Sequence, residues 1–268
     1  MQVYKEEDFF SGPEGLEAVL LWRERSTSLA LFKVGESNIG PCAVYEWSVA
    51  DRDRIGIIDL LNKLNPHSIR IVTAGPGFSL MPHEMATDSG STEWHQHLPG
   101  DSQKGILVSD KKSSPAVSVS FEMAPGDFEF LASLRNDQKV EHLAGVLLEN
   151  MEKVDFVSLW SKIVLYFVDN QMFAVAVKHG KPVLVNTYSY QVPADALYYL
   201  LWIKKELFAD EAEVPIFANG LIKTGSNLHN TLKNYIDPLH FGTSLRKKSN
   251  DLDKDFPAHT FSLLRQMA

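Results

Sequence analysis

The chain has 268 residues, of which 44% are hydrophobic and one is a cysteine, and a formal net charge of −8, so it can form one large or two ordinary domains but lacks the basic surface that nucleic-acid binding requires. No stretch approaches the roughly 18 consecutive apolar residues of a membrane span, and the first eight residues are too charged for a signal peptide. We therefore expect a cytoplasmic protein without membrane insertion or a nucleic-acid partner, in which Cys42 is a small core residue.

The first third of the chain predicts strands followed by a helix and a further strand. Apolar strands are predicted at 18–22 and 41–49, and a third lies inside 24–35, which contains an acidic turn, an apolar run and Lys-x-Gly. A strand at 69–75 ends this series. The helix before that strand is amphipathic, and its apolar residues are Ile55, Ile58, Leu61 and Leu64.

Residues 76–156 contain the remainder of this first part together with insertions. The segment 87–114 is rich in Ser, Asp, Gly and Lys and is predicted to be a long loop. Residues 116–122 and 128–134 predict a hairpin. An amphipathic helix closes the region, and its apolar residues are Val140, Leu143, Ala144, Leu147, Leu148 and Met151.

The second half of the chain shows the clearest pattern. Apolar runs at 163–168, 172–177 and 182–190 are joined by short polar turns and predict a three-stranded meander. A strand at 214–218 and a helix at 226–235 follow, separated by the turn Asn219-Gly220. The order predicts a mixed sheet in which the later strand is a parallel crossover strand.

The helix between the meander and the crossover strand begins after Pro193 and is apolar around much of its circumference. We therefore expect it to be buried against the sheet. Its aromatic residues are expected in the core, as are those of the flanking strands. These aromatic residues are Trp47, Tyr188, Tyr190, Tyr198, Tyr199 and Trp202.

An internal repeat relates the two halves. Residues 24–35 align without a gap with 169–180, because both contain an acidic turn, an apolar run and Lys-x-Gly. Flanking segments align as well, with 41–49 matching 182–190 and 69–75 matching 214–220. We interpret the chain as two copies of one unit, the first over residues 1–157, including the loop 87–114, and the second over residues 158–268.

Two tandem units of three strands, helix, strand and helix are the arrangement of the actin-like ATPase superfamily, which is a duplicated ribonuclease-H-like α/β fold. The segments 185–190, 195–201, 219–222, 232–236 and 257–261 resemble an uncharacterised bacterial family known only as a domain of unknown function. That family is similar to divergent actin-like proteins, nearer to pilus-assembly actin homologues than to sugar kinases. The resemblance implies the fold and implies no chemistry.

Actin-like ATPases hold nucleotide between their halves with an Asp-x-Gly turn in the first hairpin of each copy. Here the turns that match these positions are Glu24-Arg25-Ser26 and Asp169-Asn170-Gln171, and neither contains the glycine. The adenosine-side glycine pair is reduced to Asn219-Gly220. The resemblance therefore marks Glu24, Arg25, Asp169, Asn170, Asn219 and Gly220 as positions for ATP and Mg²⁺, whereas the degraded motifs favour ordinary turn residues and no cofactor.

A metal site is a weaker alternative. His95 and His97 form a His-x-His motif that places two imidazoles on one side of an extended segment, and His83, Glu84 and Glu93 lie nearby. The spacing matches no specific hydrolase signature. Solvated loop histidines are the competing interpretation.

The sequence thus predicts a non-catalytic actin-like protein that binds a protein or peptide partner, with a homodimer as one form of that interaction. The cleft between the halves or an exposed sheet edge would receive the partner, and strand addition is the simplest mode for a sheet edge. One alternative is an atypical ATPase or kinase that binds Mg-ATP. The other is a metal-dependent hydrolase.

Overall fold

The computed structural model describes residues 2–5, 15–33, 42–48, 53–85, 105–112, 116–134, 139–153 and 161–241. The chain divides into two compact units, and the boundary between them follows Glu149. The domain boundary predicted between residues 157 and 158 lies outside the described residues and stays a prediction.

Unit 1 contains a six-stranded mixed sheet in the order β1-β4-β3-β2-β5-β9. Strands β1 to β4 pair antiparallel, and β5 and β9 extend the sheet from β2 in parallel. These strands are β1 Gln2–Lys5, β2 Leu16–Trp22, β3 Ser26–Lys33, β4 Ala43–Ser48, β5 Ser68–Thr73 and β9 Val140–His142. Helix α1, Arg54–Leu64, links β4 to β5 and begins at Asp53, whose carboxylate accepts the Ile55 N–H at 3.0 Å.

Between β5 and β9 the chain forms a second, antiparallel sheet in the order β6-β8-β7. Its strands are β6 Phe78–Pro82, β7 Ile106–Lys112 and β8 Val117–Met123, and a 3₁₀ turn, His83–Met85, follows β6. Helix α2, Pro125–Ser133, precedes β9, and helix α3, Leu143–Lys153, follows it.

Two predictions for this region are wrong. Residues 106–112, predicted as part of the loop 87–114, form strand β7. Most of the rest of that predicted loop lies outside the described residues and stays a prediction. Residues 128–134 lie largely in helix α2 and not in a strand, because Pro125 starts a helix at its first position and a short apolar run alone does not distinguish the two structures. The amphipathic helix predicted to close this part is confirmed as α3 from Leu143 onward, but Val140, which the prediction placed in it, lies in strand β9.

Unit 2 contains a five-stranded sheet in the order β12-β11-β10-β13-β14. The predicted meander is confirmed, since β10, β11 and β12 pair antiparallel, and β13 and β14 continue in parallel. The strands are β10 Lys162–Val168, β11 Gln171–Lys178, β12 Lys181–Ser189, β13 Ile216–Gly220 and β14 Leu239–Phe241. Helix α4, Pro193–Phe208, and helix α5, Asn227–Tyr235, pack on one face of this sheet with Ile163, Leu165 and Phe167.

The duplicated α/β fold is confirmed by strand order and by register. The order β4-β3-β2-β5-β9 in unit 1 equals β12-β11-β10-β13-β14 in unit 2, with the same strand directions. In the hairpins, Trp22 lies opposite Thr27 as Phe167 lies opposite Met172. The small sheet β6-β8-β7 is an insertion in unit 1 between the equivalents of β13 and α5.

The register also corrects one detail of the internal alignment. Trp22 pairs with Thr73 in unit 1, and its equivalent Phe167 pairs with Gly220 in unit 2. The following residues agree, because the Ala74 N–H donates to the Trp22 carbonyl as the Leu221 N–H donates to that of Phe167. Thr73, and not Gly75, is therefore the counterpart of Gly220.

Candidate functional site

The first hairpin turn joins β2 to β3 and carries two of the predicted site residues. Glu24 and Arg25 are both exposed there. Arg23, directly before them, is buried, and its guanidinium donates to Ser28 Oγ at 2.5 Å and lies 3.3 Å from Glu46 Oε1. The buried charged residue at this turn is therefore Arg23. The sequence prediction did not include Arg23 among the site residues.

The equivalent turn of unit 2 joins β10 to β11. Asp169 takes a left-handed conformation at φ 51°, and its carbonyl accepts the Tyr190 hydroxyl at 3.1 Å. The Asn170 carbonyl accepts the Tyr190 N–H at 3.0 Å. Burial and the nearby charge of Asp169 raise the pKa of the Tyr190 hydroxyl, so it stays protonated as a donor. Tyr190 thus holds the turn by donating to the backbone carbonyls of Asp169 and Asn170. These two turn residues are half-buried.

Gly220 ends β13 in a conformation that other residues adopt only with strain, at φ 86°. A Cβ atom at this position would lie 2.3 Å from the Phe167 carbonyl oxygen, because β13 approaches β10 closely there. Asn219 is fully buried beside it. The predicted turn Asn219-Gly220 is therefore wrong, because both residues pair with β10 as the last two residues of β13.

The structure brings part of the predicted nucleotide set together. The turn Asp169-Asn170 and Gly220 both lie at the carboxyl ends of the parallel strands β10 and β13, within unit 2. Glu24 and Arg25 lie in unit 1. A role for the six predicted residues in binding ATP or Mg²⁺ stays a prediction.

A partly buried ion cluster in unit 1 was missed by sequence reasoning. Arg70 on β5 donates to both oxygens of Glu141 on β9 at 2.6 and 2.8 Å, and reaches Glu149 on α3 at 3.1 Å. Lys112 on β7, only 3% exposed, lies 2.9 Å from Asp110 and also contacts Glu141. The cluster joins the inserted sheet to the main sheet and to α3.

The ionisation of this cluster follows from burial and pairing. Burial opposes the charge of Glu141, but the hydrogen bonds and charge of Arg70 and Lys112 hold its pKa below the ordinary value. Burial raises the pKa of Asp110, and Lys112 offsets only part of that effect. Burial also disfavours the charge of Lys112, but its acidic partners raise its pKa and keep it cationic. The cluster is a paired structural junction, and its cations are engaged with carboxylates.

His142 is a fully buried histidine with both ring nitrogens engaged. Its Nε2 lies 3.0 Å from the Gly75 carbonyl and its Nδ1 accepts the Ala144 N–H at 3.2 Å, which defines a neutral Nε2–H tautomer. Phe78 and Phe121 pack on the ring at 4.8 and 5.0 Å between centroids. Burial lowers the pKa of His142 to about 4.

The metal-site alternative gains no support in the described part of the chain. His83 and Glu84 lie in an exposed 3₁₀ turn. No group of three or more His, Cys, Asp or Glu side chains that could hold a metal occurs among the described residues. Glu93, His95 and His97 lie outside them. Cys42 is a buried core residue as predicted, with its thiol 3.2 Å from the Leu31 carbonyl.

The outer edges of β4 and β12 differ between the two copies. In unit 1, β1 pairs antiparallel with β4, from Gln2 opposite Glu46 to Lys5 opposite Ala43. In unit 2, β12 is the last strand of its sheet, and no strand of the described residues pairs with its outer side. The register equates Ser48 with Ser189, so the segment of β12 that corresponds to the β1-paired part of β4 is 184–187.

Backbone groups of β12 point to that open edge. The Tyr190 N–H points inward to the β10–β11 turn, and because N–H groups alternate along a strand, those of Thr187 and Val185 point outward. The Thr187 N–H donates to the side chain of Asn186 at 2.8 Å. Lys181 and Pro182 protect the start of the edge, since lysine and proline disfavour strand pairing.

Comparison with known protein families agrees with this geometry. A family profile matches residues 61–239, which is more than half of the chain. The chain belongs to the family described as Protein of unknown function (DUF3822). The resemblance to an uncharacterised family with an actin-like fold is therefore confirmed. No curated protein matches the chain at a significant level.

Two solved structures are similar to this DUF3822 chain over nearly its whole length. A Bacteroides thetaiotaomicron protein with an actin-like ATPase fold and unknown function is 15% identical, covers 95% of this chain and 98% of its own, and superposes with a TM-score of 0.71. The PilM-PilN type IV pilus biogenesis complex contains a chain that is 15% identical, with coverages of 95% and 99% and a TM-score of 0.50. At this identity the comparisons show the actin-like fold alone. None of the helices in the described part has the length and apolar character that a bilayer span requires.

Proposed function

We propose that this protein is a non-catalytic actin-like protein that binds an extended segment of a protein partner along the outer edge of β12. The observation that carries the proposal is the difference between the two copies. Unit 1 fills the outer edge of β4 with β1, whereas the equivalent edge 184–187 of β12 is open in the described structure. An added strand gains main-chain hydrogen bonds and selects side chains by alternate positions.

Two further features support this function. Neither hairpin turn has the glycine of actin-like ATPases, and Gly220 is needed for the contact with Phe167 whether or not a nucleotide is present. The similar PilM chain was solved in complex with PilN, so a chain of this fold can serve as one component of a protein complex. A cytoplasmic location and a homodimer both stay predictions.

The test uses two variants of the same edge. Val185→Pro removes an outward N–H without removing a bond to β11, and should abolish strand addition. Asn186→Ala removes the side chain that occupies the Thr187 N–H and should preserve or strengthen it. Affinity capture from the native cells, quantified by mass spectrometry, should recover a specific protein with the wild type and with Asn186→Ala only. Equal recovery with a correctly folded Val185→Pro, or robust ATPase activity of the purified protein, would contradict the proposal.

The second candidate is an atypical ATPase or kinase, favoured by the position of the Asp169-Asn170 turn beside Gly220. Mg-ATP at 100 times its dissociation constant should then stabilise the protein by about 2.7 kcal/mol. Asp169→Ala should remove that stabilisation. An unchanged melting curve at millimolar Mg-ATP would reject this candidate.

A further inference from the structure

Helix α4 has two apolar faces, and only one is buried. Ala196, Leu200 and Ile203 pack on the sheet of unit 2. The outward face carries Tyr198, Leu201 and Trp202, which are 65%, 44% and 46% exposed. The spacing of these three residues places them on one side of the helix. The expectation that Tyr198 and Trp202 are core residues is therefore wrong, although Tyr188 is buried as expected.

The equivalent helix of unit 1 shows that the fold does not require this outward face. Both helices begin at matching first positions, Arg54 in α1 and Pro193 in α4, and the buried Ile57 and Leu61 of α1 correspond to Ala196 and Leu200 of α4.

In this register, polar residues replace the three apolar ones. Asp59, Asn62 and Lys63, all exposed on α1, occupy the positions of Tyr198, Leu201 and Trp202. A cluster of exposed aromatic and aliphatic side chains that only one of the two units carries is typical of an interaction site. Tyr and Trp are also the residues most enriched at the energetic centres of interfaces.

The charged residues that flank the outward face of α4 favour a second copy of this chain as its binding partner. Asp195 lies at the amino end of the outward face, where its Oδ2 also accepts the Gln191 and Val192 N–H groups at 2.9 and 3.0 Å. The exposed Lys205 lies at the carboxyl end of that face. If two copies of α4 pair antiparallel about residue 200, Tyr198 meets the partner's Trp202 and Asp195 meets the partner's Lys205. The antiparallel arrangement also opposes the two helix dipoles favourably. The outward face of α4 is thus complementary in charge and in apolar contacts to the same face of a second chain, as a two-fold interface requires.

We propose that the outward face of α4, formed by Tyr198, Leu201, Trp202 and Lys205, binds the same face of a second copy of this chain. This interface is independent of the β12 edge. A partner protein with its own apolar helix is the competing occupant, and it predicts a monomer when the purified chain is alone.

The decisive variant carries Tyr198→Asp, Leu201→Asn and Trp202→Asp, which places like charges opposite each other where residue 198 meets the partner's residue 202. Sedimentation equilibrium of the full chain should show a dimer for the wild type. The triple variant should have a dimer dissociation constant raised at least about 30-fold, the effect of losing one central interface residue. Ile55→Asn, at the most exposed apolar residue of α1, is the matched control and should dimerise as the wild type does.

A second measurement does not depend on the triple variant folding. Leu201→Cys lies near the proposed two-fold axis and should form an intermolecular disulfide under mild oxidation, whereas Ile55→Cys should not. A wild-type monomer at concentrations up to about 1 mM, a folded triple variant that dimerises normally, or equal cross-linking of the two cysteine variants would overturn the proposal.

Discussion

Replacement of Gly220 by alanine tests how the end of β13 is built. The native φ of 86° lies in the left-handed region, and the added Cβ would lie 2.3 Å from the carbonyl oxygen and 2.9 Å from the nitrogen of Phe167. The partner atoms belong to a backbone inside the sheet and cannot rotate away. The variant therefore has two costs, one conformational and one steric.

Gly180 provides a matched control within the same unit. It has a similar φ of 75°, but nothing lies within 4 Å of its hypothetical Cβ. The left-handed conformation costs a non-glycine residue about 1–2 kcal/mol, so Gly180→Ala should lower the free energy of unfolding by that amount. Overpacking adds about 1–3 kcal/mol, and Gly220→Ala should lose about 2–5 kcal/mol in total.

Chemical denaturation of the full chain, followed by far-UV circular dichroism, measures both variants without nucleotide. A drop in the unfolding free energy that is clearly larger for Gly220→Ala supports the close approach of β13 to β10. Equal losses for the two variants would refute it. Equal losses would also favour the alternative in which residue 220 is glycine because a bound ligand approaches the backbone there.

Two further predictions concern unit 1. Lys112→Met should destabilise by about 3–5 kcal/mol, because it leaves the buried Asp110 without its cation and Glu141 with Arg70 alone. The exposed neighbour Lys111→Met should change stability by less than about 0.5 kcal/mol in the same denaturation assay. The second prediction concerns pH. Burial lowers the pKa of His142 from 6.5 to about 4 in the folded state, so the unfolded chain binds its proton first, and stability is complete above pH 6.5 and falls by about 3 kcal/mol as the pH approaches 4. His142→Gln should flatten the dependence of stability on pH between pH 6.5 and 4.5. This window lies above the titration of Glu141, whose pKa is lowered. An unchanged slope in the variant would show that groups other than His142 cause the pH dependence.

The repeated local patterns of the chain were sufficient to predict the duplicated fold. Alternating apolar runs and short turns predicted the meander of β10, β11 and β12, and the Lys-x-Gly repeat correctly paired the two hairpins. These features depend on residues close in sequence, where side-chain direction follows directly from the period of the strand or helix. The buried position of Cys42 followed from the same local pattern.

Long-range contacts decided what the patterns left open. Strand β7 looked like a loop because Asp110 and Lys112 are polar. Only the ion pairs of Lys112 with Asp110, Glu141 and Glu149 in the folded unit make their burial favourable.

The same limit applies to Gly220 and to α4. The equivalence of Gly220 with Thr73 depends on strand register, which no residue of either strand specifies alone. Helix α4 is apolar on both sides in sequence, and only the tertiary structure shows which side meets the sheet and which meets solvent. The local code specifies which elements form, but burial is a property of what packs against them.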